Sequence, residues 1–205
     1  MSSIPGATSK LTPIYPCSPL DNNGNSEESC STQRIIAALG LERHIEGGYF
    51  AEIDRNPLVI PNPFLARNGG EEEEEEKEKE GEVVNQTAEK PVSGDDSIRN
   101  ASTSIYYMLS PIAPQGHFHR NKGRTVHTLI SGRGRYVLIH ADEPGEKKRV
   151  ESFVVGHDVA DGEKSVWIVE GGFEYSDHDF LDVNKFRQLV TEEQAEELEW
   201  LVRKS

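Results

Sequence analysis

From residue 98 onward, short β-branched and aromatic runs recur every ten to fifteen positions, separated by Gly, Pro, Asp and Ser. The runs cover residues 104–109, 125–130, 135–140, 150–155 and 165–169, and each is followed by turn formers such as Pro111, Ser131-Gly132, Pro144-Gly145, Gly156 and Gly171-Gly172. Apolar runs of five or six residues bounded in this way predict strands. Their even spacing predicts an antiparallel sandwich or barrel and not a βαβ repeat. Upstream, residues 44–55 mix apolar and polar positions around Gly47-Gly48 and stop at Asn56-Pro57, which predicts a strand with a bulge or close backbone approach at the glycine pair.

Helical signals lie at the two ends of this β region. A helix is predicted from Ser31 or Thr32 through Leu39, with Gly40 in the stop position. Thr191 and Gln194 have capping-box spacing, and Ala195, Leu198, Leu201 and Val202 recur at helical intervals, so an amphipathic C-terminal helix should cover one face of the β core. Residues 1–30 show neither period and carry Pro5, Pro13, Pro16 and Pro19, which predicts a disordered leader. The resulting division is a leader (1–30), a helix and first strand (31–67), an insert (68–97), a β core (98–182) and a helical segment (183–205).

Composition changes this picture mainly at the insert. The chain has 205 residues, 36 carboxylates and 22 Lys plus Arg, for a formal net charge of −14. Residues 71–82 alone hold nine Glu and two Lys, so half of that charge falls in a dozen positions. So acidic a stretch, nearly free of large apolar residues, cannot offset the entropy of folding and is expected to be disordered. No basic run answers it except Lys147, Lys148 and Arg149, which read as an exposed hairpin end, so nucleic-acid binding by phosphate neutralisation is disfavoured. No apolar run reaches the ~18 residues of a membrane span, and the N-terminus lacks the charged and apolar regions of a signal peptide. Cys17 and Cys30 suggest neither a disulfide framework nor a metal site. The expectation is a reduced, intracellular protein, cytoplasmic and also nuclear.

The candidate chemistry is histidine-centred. His117 and His119 stand two apart, which on a strand points both rings to one face and Phe118 to the other. His127, on the next strand, could bring a third imidazole, and three such rings are a way to hold a divalent metal. Without a metal, His119 and His127 are candidate acid/base groups, with His117, Tyr107 and Tyr136 beside them in a ligand pocket. The same tyrosines also fit as half-buried strand residues. Glu46, Glu52, Asp54 and Arg55 read as ion pairs that fix the first strand. His140, His157 and His178 read as strand ends or exposed turns.

One combination of residues is more specific. His44-x-Glu46-Gly47-Gly48-Tyr49-Phe50-x-Glu52 with Asp54-Arg55, then residues 104–107 (SIYY), Phe118-His119-Arg120, Val126-His127 and Gly132-x-Gly134, resembles the Cupin_5 (DUF985) family, in particular its fungal branch. The resemblance covers about residues 33–62 and 98–202. It implies an all-β, RmlC-like cupin jelly roll with flanking helices and a homodimer; activity does not come with it, and a small metabolite, either a sugar or a carboxylate, bound in the barrel is the first functional expectation.

Two departures from the family pattern matter. Metal-binding cupins follow the His pair with a Glu, but here Gly123 and Arg124 occupy that stretch. An Arg cannot ligate a cation, so no cofactor is assigned, and Arg124 becomes a candidate anion clamp. The second departure is length: compared with the family pattern, about thirty residues are missing after Gly172, which implies an incomplete barrel with unpaired edges. Fold does not decide activity. An isomerase- or epimerase-like enzyme, a non-catalytic ligand-binding or interaction module, and a metal-dependent oxygenase using His117, His119 and His127 all remain open.

Overall fold

Two nested antiparallel hairpins account for most of the strands in the computed structural model, which describes residues 1–12, 27–63, 97–121, 123–171 and 181–203. In the first, β2 (Tyr49–Arg55) pairs with β5 (Thr103–Met108), and inside them β3 (Val59–Pro61) pairs with β4 (Ile98–Asn100). In the second, β6 (Thr125–Thr128) pairs with β9 (Val166–Val169) around the ribbon of β7 (Gly134–Ile139) and β8 (Val150–Val155). A short β1 (Glu42–Arg43) adds to the outer edge of β2. Long hairpins folded over in this way are the plan of a jelly roll.

Among the described residues the four ladders are not joined into a closed barrel. The exposed cross-strand pair Val126 and Ile168, 61% and 43% accessible, belongs to the open β6–β9 ribbon. Open edges and uncovered apolar positions of this kind are association hazards. The acidic insert lies outside the described residues, but its two ends are tied together, because Asn62 N–H donates to the Ser97 carbonyl at 2.9 Å just beyond the β3–β4 ladder. An insertion there sits at a hairpin end, where added length costs only loop-closure entropy.

Local signals place the elements where the pattern expects them, with some adjustments. Helix α1 (Cys30–Leu39) starts at Ser29, whose Oγ accepts from Thr32 N–H, and ends at Gly40. Helix α3 (Glu192–Leu198) carries the full Thr191/Gln194 capping box. A further helix, α2 (Val183–Leu189), is capped by Asp182, and Lys147 Nζ donates to the Arg187 and Gln188 carbonyls at its C-terminal end. Arg55 and Glu52 form the expected ion pair, at 3.0 and 2.6 Å. The bulge of the first strand, however, falls between Glu52 and Asp54 and not at the glycine pair, which instead forms a turn leading into β2.

The disordered-leader expectation is corrected for residues 1–12; residues 13–26 lie outside the described residues. Ile4 is 2% exposed and joins Val150, Phe186, Val190, Ala195, Leu198 and Val202 in the main core. Glu197, itself 3% exposed, accepts from Ser2 Oγ at 2.5 Å, Ser3 N at 2.9 Å, Ser3 Oγ at 2.9 Å and Leu11 N at 2.7 Å. An irregular, turn-containing segment docked through Ile4, Ala7 and Leu11 and through the donors to Glu197 has no hydrophobic period, which is why its sequence reads as a leader.

Burial alone would push the Glu197 carboxyl up, but the donors from Ser2, Leu11 and Ser3 outweigh it and hold the group down to about 2. A carboxylate depressed in the folded state contributes stability that is present above its unfolded value of 4.5 and lost as pH falls toward 2. Glu197→Gln is expected to cost about 2 kcal/mol at pH 7, because charge-assisted bonds become neutral ones and some donors lose their acceptor. It should also shrink the extra loss seen on going from pH 7 to pH 3 in urea titrations. A variant that loses as much stability over that interval as the parent chain would show that this tie is not the acid-labile one. No helix of the described residues is long and apolar enough to cross a membrane.

Candidate functional site

The site is built on the turn between β1 and β2. Gly47 and Gly48 have φ of +96° and +69°, left-handed values that side chains rarely adopt. Both also lie against other backbone. A Cβ on Gly47 would fall on the Gln115 carbonyl oxygen, and one on Gly48 would be 2.6 Å from the Met108 carbonyl oxygen. This close approach lets His117 N–H donate to the Glu46 carbonyl at 2.7 Å and Tyr107 hydroxyl donate to the Gly47 carbonyl at 2.9 Å. The turn therefore brings the Glu46 side chain to the extended segment that carries His117 and His119.

There, Glu46 Oε2 lies 3.3 Å from His119 Nε2 and 3.4 Å from His44 Nδ1. The other nitrogen of His119, Nδ1, is 2.8 Å from the His117 carbonyl, a contact that fixes Nδ1 as the protonated atom and leaves Nε2 facing the carboxylate. His44 is different. Its side chain is 7% exposed, its ring packs edge-on against Phe50, and Glu46 N–H lies 3.3 Å from Nδ1. Burial pushes the His44 imidazole below its ordinary value, Glu46 opposes that, and His119 adds to it. A neutral His44 accepting from Glu46 N–H at Nδ1 supports the turn, which leaves His119 Nε2 as the imidazole nitrogen that faces the Glu46 carboxylate. The side chains of Glu46 and His119 remain about a quarter exposed, at 26% and 28%.

Four aromatic rings form a wall, one from each strand of the second hairpin. His127 lies opposite Trp167, and Tyr136 opposite Phe153, in the two ladders. The His127 and Trp167 rings stack at 4.9 Å and 5°, the Tyr136 and Phe153 rings at 5.5 Å and 15°, and Tyr136 approaches Trp167 at 5.4 Å. Burial, and then the nearby His119, push the His127 imidazole below its ordinary value. Its Nε2 is sealed from solvent and has no hydrogen-bond partner among the described residues. Burial raises the Tyr136 hydroxyl; Trp167 opposes this, and the charge of Glu46 adds to it. Burial also raises Tyr107, followed by Glu46 and Tyr136. Both hydroxyls stay protonated and can donate.

The residues singled out from sequence divide accordingly. His119 lies against the Glu46 side chain and Tyr107 against the turn that carries it, whereas Tyr136 and His127 are members of the aromatic wall. His117 turns toward the C-terminal segment: burial lowers its imidazole, the Leu201 carbonyl raises it, and Arg203 lowers it. The three imidazoles named for a metal are thus held in three different settings. Among the described residues no group of three His, Cys, Asp or Glu side chains is placed to hold an ion.

Arg124 is placed on the outside, 60% exposed and paired with Glu170 at 3.0 Å, which corrects its reading as an anion clamp. Strand parity explains the placement, since Arg124 shares a face with the exposed Val126 and not with His127. Glu46 is the candidate site residue that the sequence reading set aside as an ion-pair partner. The signal that could have found it was its position directly before a glycine pair whose close approach to another strand was itself expected.

Comparison with known proteins identifies the family. The chain is 33% identical over 207 positions to an uncharacterized protein, YML079W, of Saccharomyces cerevisiae (strain ATCC 204508 / S288c), a match that takes in 85% of this chain and 88% of the yeast protein. Since 85% of 205 residues is fewer than 207, the alignment includes about thirty positions for which this chain has no residue. A solved structure, a hypothetical protein from Leishmania major, superposes with a TM-score of 0.45 at 23% identity, over 68% of this chain and 65% of that one. The family Cupin_5, described as "Cupin superfamily (DUF985)", matches residues 33–177. With that match, the yeast relative and a mostly stranded fold, the chain belongs to the Cupin_5 (DUF985) family of the cupin superfamily.

Proposed function

We propose that this cupin binds a small metabolite between the two hairpins and moves a proton on it, in the manner of an isomerase or epimerase. The observation that supports this reading is the Glu46–His119 pair: the same carboxylate oxygen, Oε2, is the one nearest to both imidazoles. A carboxylate backed in this way can take a proton at Oε1 from carbon beside a carbonyl, while the proton shared through Oε2 with His119 offsets the change in charge. Tyr136, a protonated phenol of the aromatic wall, can donate to the carbonyl oxygen on which negative charge then develops.

Incubation with ketoses, aldoses and sugar lactones in D2O tests the reading. Deuterium incorporation at the carbon next to the carbonyl, seen by NMR and proportional to protein, is the expected result. Ligand binding without any exchange would refute the proton-transfer step and favour the alternative of a non-catalytic binding module.

A further inference from the structure

Residues 1–12 are joined to the Glu46–His119 pair by a continuous series of hydrogen bonds, although no residue of the segment touches the pair. We infer that this segment is a strap that holds His119 against Glu46, and that Glu197 is the positioning residue through which it acts. The consequence for proton transfer rests on the proposed function; the consequence for geometry does not.

The strap is seated at two places. On β8, Ser152 N–H donates to the Pro5 carbonyl at 2.9 Å, and Arg135 Nη1 donates to the Gly6 carbonyl at 3.1 Å. Gly6 has φ of +83°, and a Cβ there would fall on the Ser152 carbonyl oxygen. On either side of that point, Ser2, Ser3 and Leu11 bond the Glu197 carboxylate. From Glu197 the series runs on through the turn Glu199–Leu201. The Glu197 carbonyl accepts from Trp200 Nε1 at 2.7 Å, the Trp200 carbonyl from Gln115 Nε2 at 2.7 Å, and the Leu201 carbonyl from Phe118 N–H at 3.0 Å. Residues 115–118 then reach the site, where His117 N–H meets the Glu46 carbonyl and the His117 carbonyl meets His119 Nδ1.

Burial makes this series a switchable unit and not only a row of contacts. Helix α3 has seven residues and the turn after it three, too few to hold their form alone. They are held by the cluster of Val150, Phe186, Val190, Leu198 and Val202, to which the strap contributes Ile4. The second cluster, Leu41, Tyr49 and Ala113, lies apart from it and is packed by Ala51, Tyr106 and Met108 of β2 and β5. Residues 115–118 bridge the two, since Phe118 stacks on Phe186 at 5.6 Å while His117 N–H bonds to the turn that leads into β2. Undocking of the strap therefore loosens the first unit, and with it one of the two anchors of His119, while the β2–β5 ladder stays closed.

Residue-resolved amide hydrogen exchange on the full chain tests this, with Gly6→Ala to unseat the strap without altering a core side chain. The Ser152 and Leu11 amides should report undocking, and the His117 and Phe118 amides should exchange about ten-fold faster, with β2–β5 ladder amides within about two-fold of the parent. The share of His119 carrying its proton at Nδ1, read from ring ¹⁵N shifts, should fall with them. Ser3→Ala, which removes one donor to Glu197 and covers the case in which Gly6→Ala folds poorly, should give the same pattern at about three-fold.

A strap that undocks while His117, Phe118 and the His119 tautomer keep their parent behaviour would overturn the inference. So would a uniform rise that includes the β2–β5 ladder, which marks general destabilisation, or a Gly6→Ala strap that stays docked, which contradicts its seat on Ser152. None of these readouts needs a ligand. Unchanged His117 and Phe118 amides in a chain that deuterates its substrate would sink the strap and leave the proton-transfer reading standing, whereas coupled amides in a chain that deuterates nothing would do the reverse.

Discussion

Gly47→Ala is expected to destabilise the fold by about 3 kcal/mol, the sum of a left-handed backbone cost of about 1 to 2 and an overpacking cost of similar size. For a domain of this size that lowers the melting temperature by roughly 6–12 °C. The contact term arises because the added Cβ would meet the Gln115 carbonyl and would lie 3.3 Å from Gly116 Cα, all of it backbone that no rotamer change can move. Gly132→Ala separates the two costs. Gly132 has φ of +89°, but no atom lies within 4 Å of an added Cβ, so only the backbone term of about 1 kcal/mol applies. If thermal melts show the two variants losing the same amount, the close approach of the 44–48 turn to the 115–119 segment is wrong, and the placement of Glu46 beside His119 fails with it.

Much of the architecture was legible because strand, turn and cap signals are local. The runs at 125–130, 135–140 and 150–155 became β6, β7 and β8 within a few residues at each end, and the Thr191/Gln194 spacing produced the capping box it announces. Order in residues 1–12 was not legible, since it rests on Ile4 and on donors to Glu197, nearly two hundred positions away in the chain. The short β3 and β4 were also hidden. They have three residues each and pair across the acidic insert, so neither shows a period of its own.

The site shows the same division. The histidine pair was visible as spacing, but residues 115–118 are extended without joining a strand ladder, and the backbone of this segment bonds to the Glu46 carbonyl and, through Phe118 N–H, to the Leu201 carbonyl at 3.0 Å. Two rings of equal parity therefore meet different neighbours: His117 faces the C-terminal segment and His119 faces a carboxylate. The misplacement of Arg124 was avoidable, since it sits three positions before His127 and falls on the other face of the ribbon. The role of Glu46 was harder to see, because a Glu near an Arg and two further carboxylates most often serves a surface ion pair.

Glu46→Gln is expected to abolish most proton exchange, lowering its rate by about 10²- to 10⁴-fold, the range for loss of a positioned acid/base group. Gln keeps the shape of the side chain and accepts no proton, so binding of a neutral ligand should persist while exchange fails. His119→Ala should also slow exchange, by a smaller factor, because it removes the partner at Oε2 and leaves Oε1 in place. The two losses should not add. If His119 acts only through Glu46, the double variant should be no slower than Glu46→Gln alone, and the departure from additivity measures their coupling. His119→Gln distinguishes positioning from bulk, since its amide N–H can still donate toward Oε2 and should recover part of the loss. Full additivity in the cycle, or a Glu46→Gln variant that exchanges deuterium at the parent rate, would place the base elsewhere in the barrel and return Glu46 to a structural part.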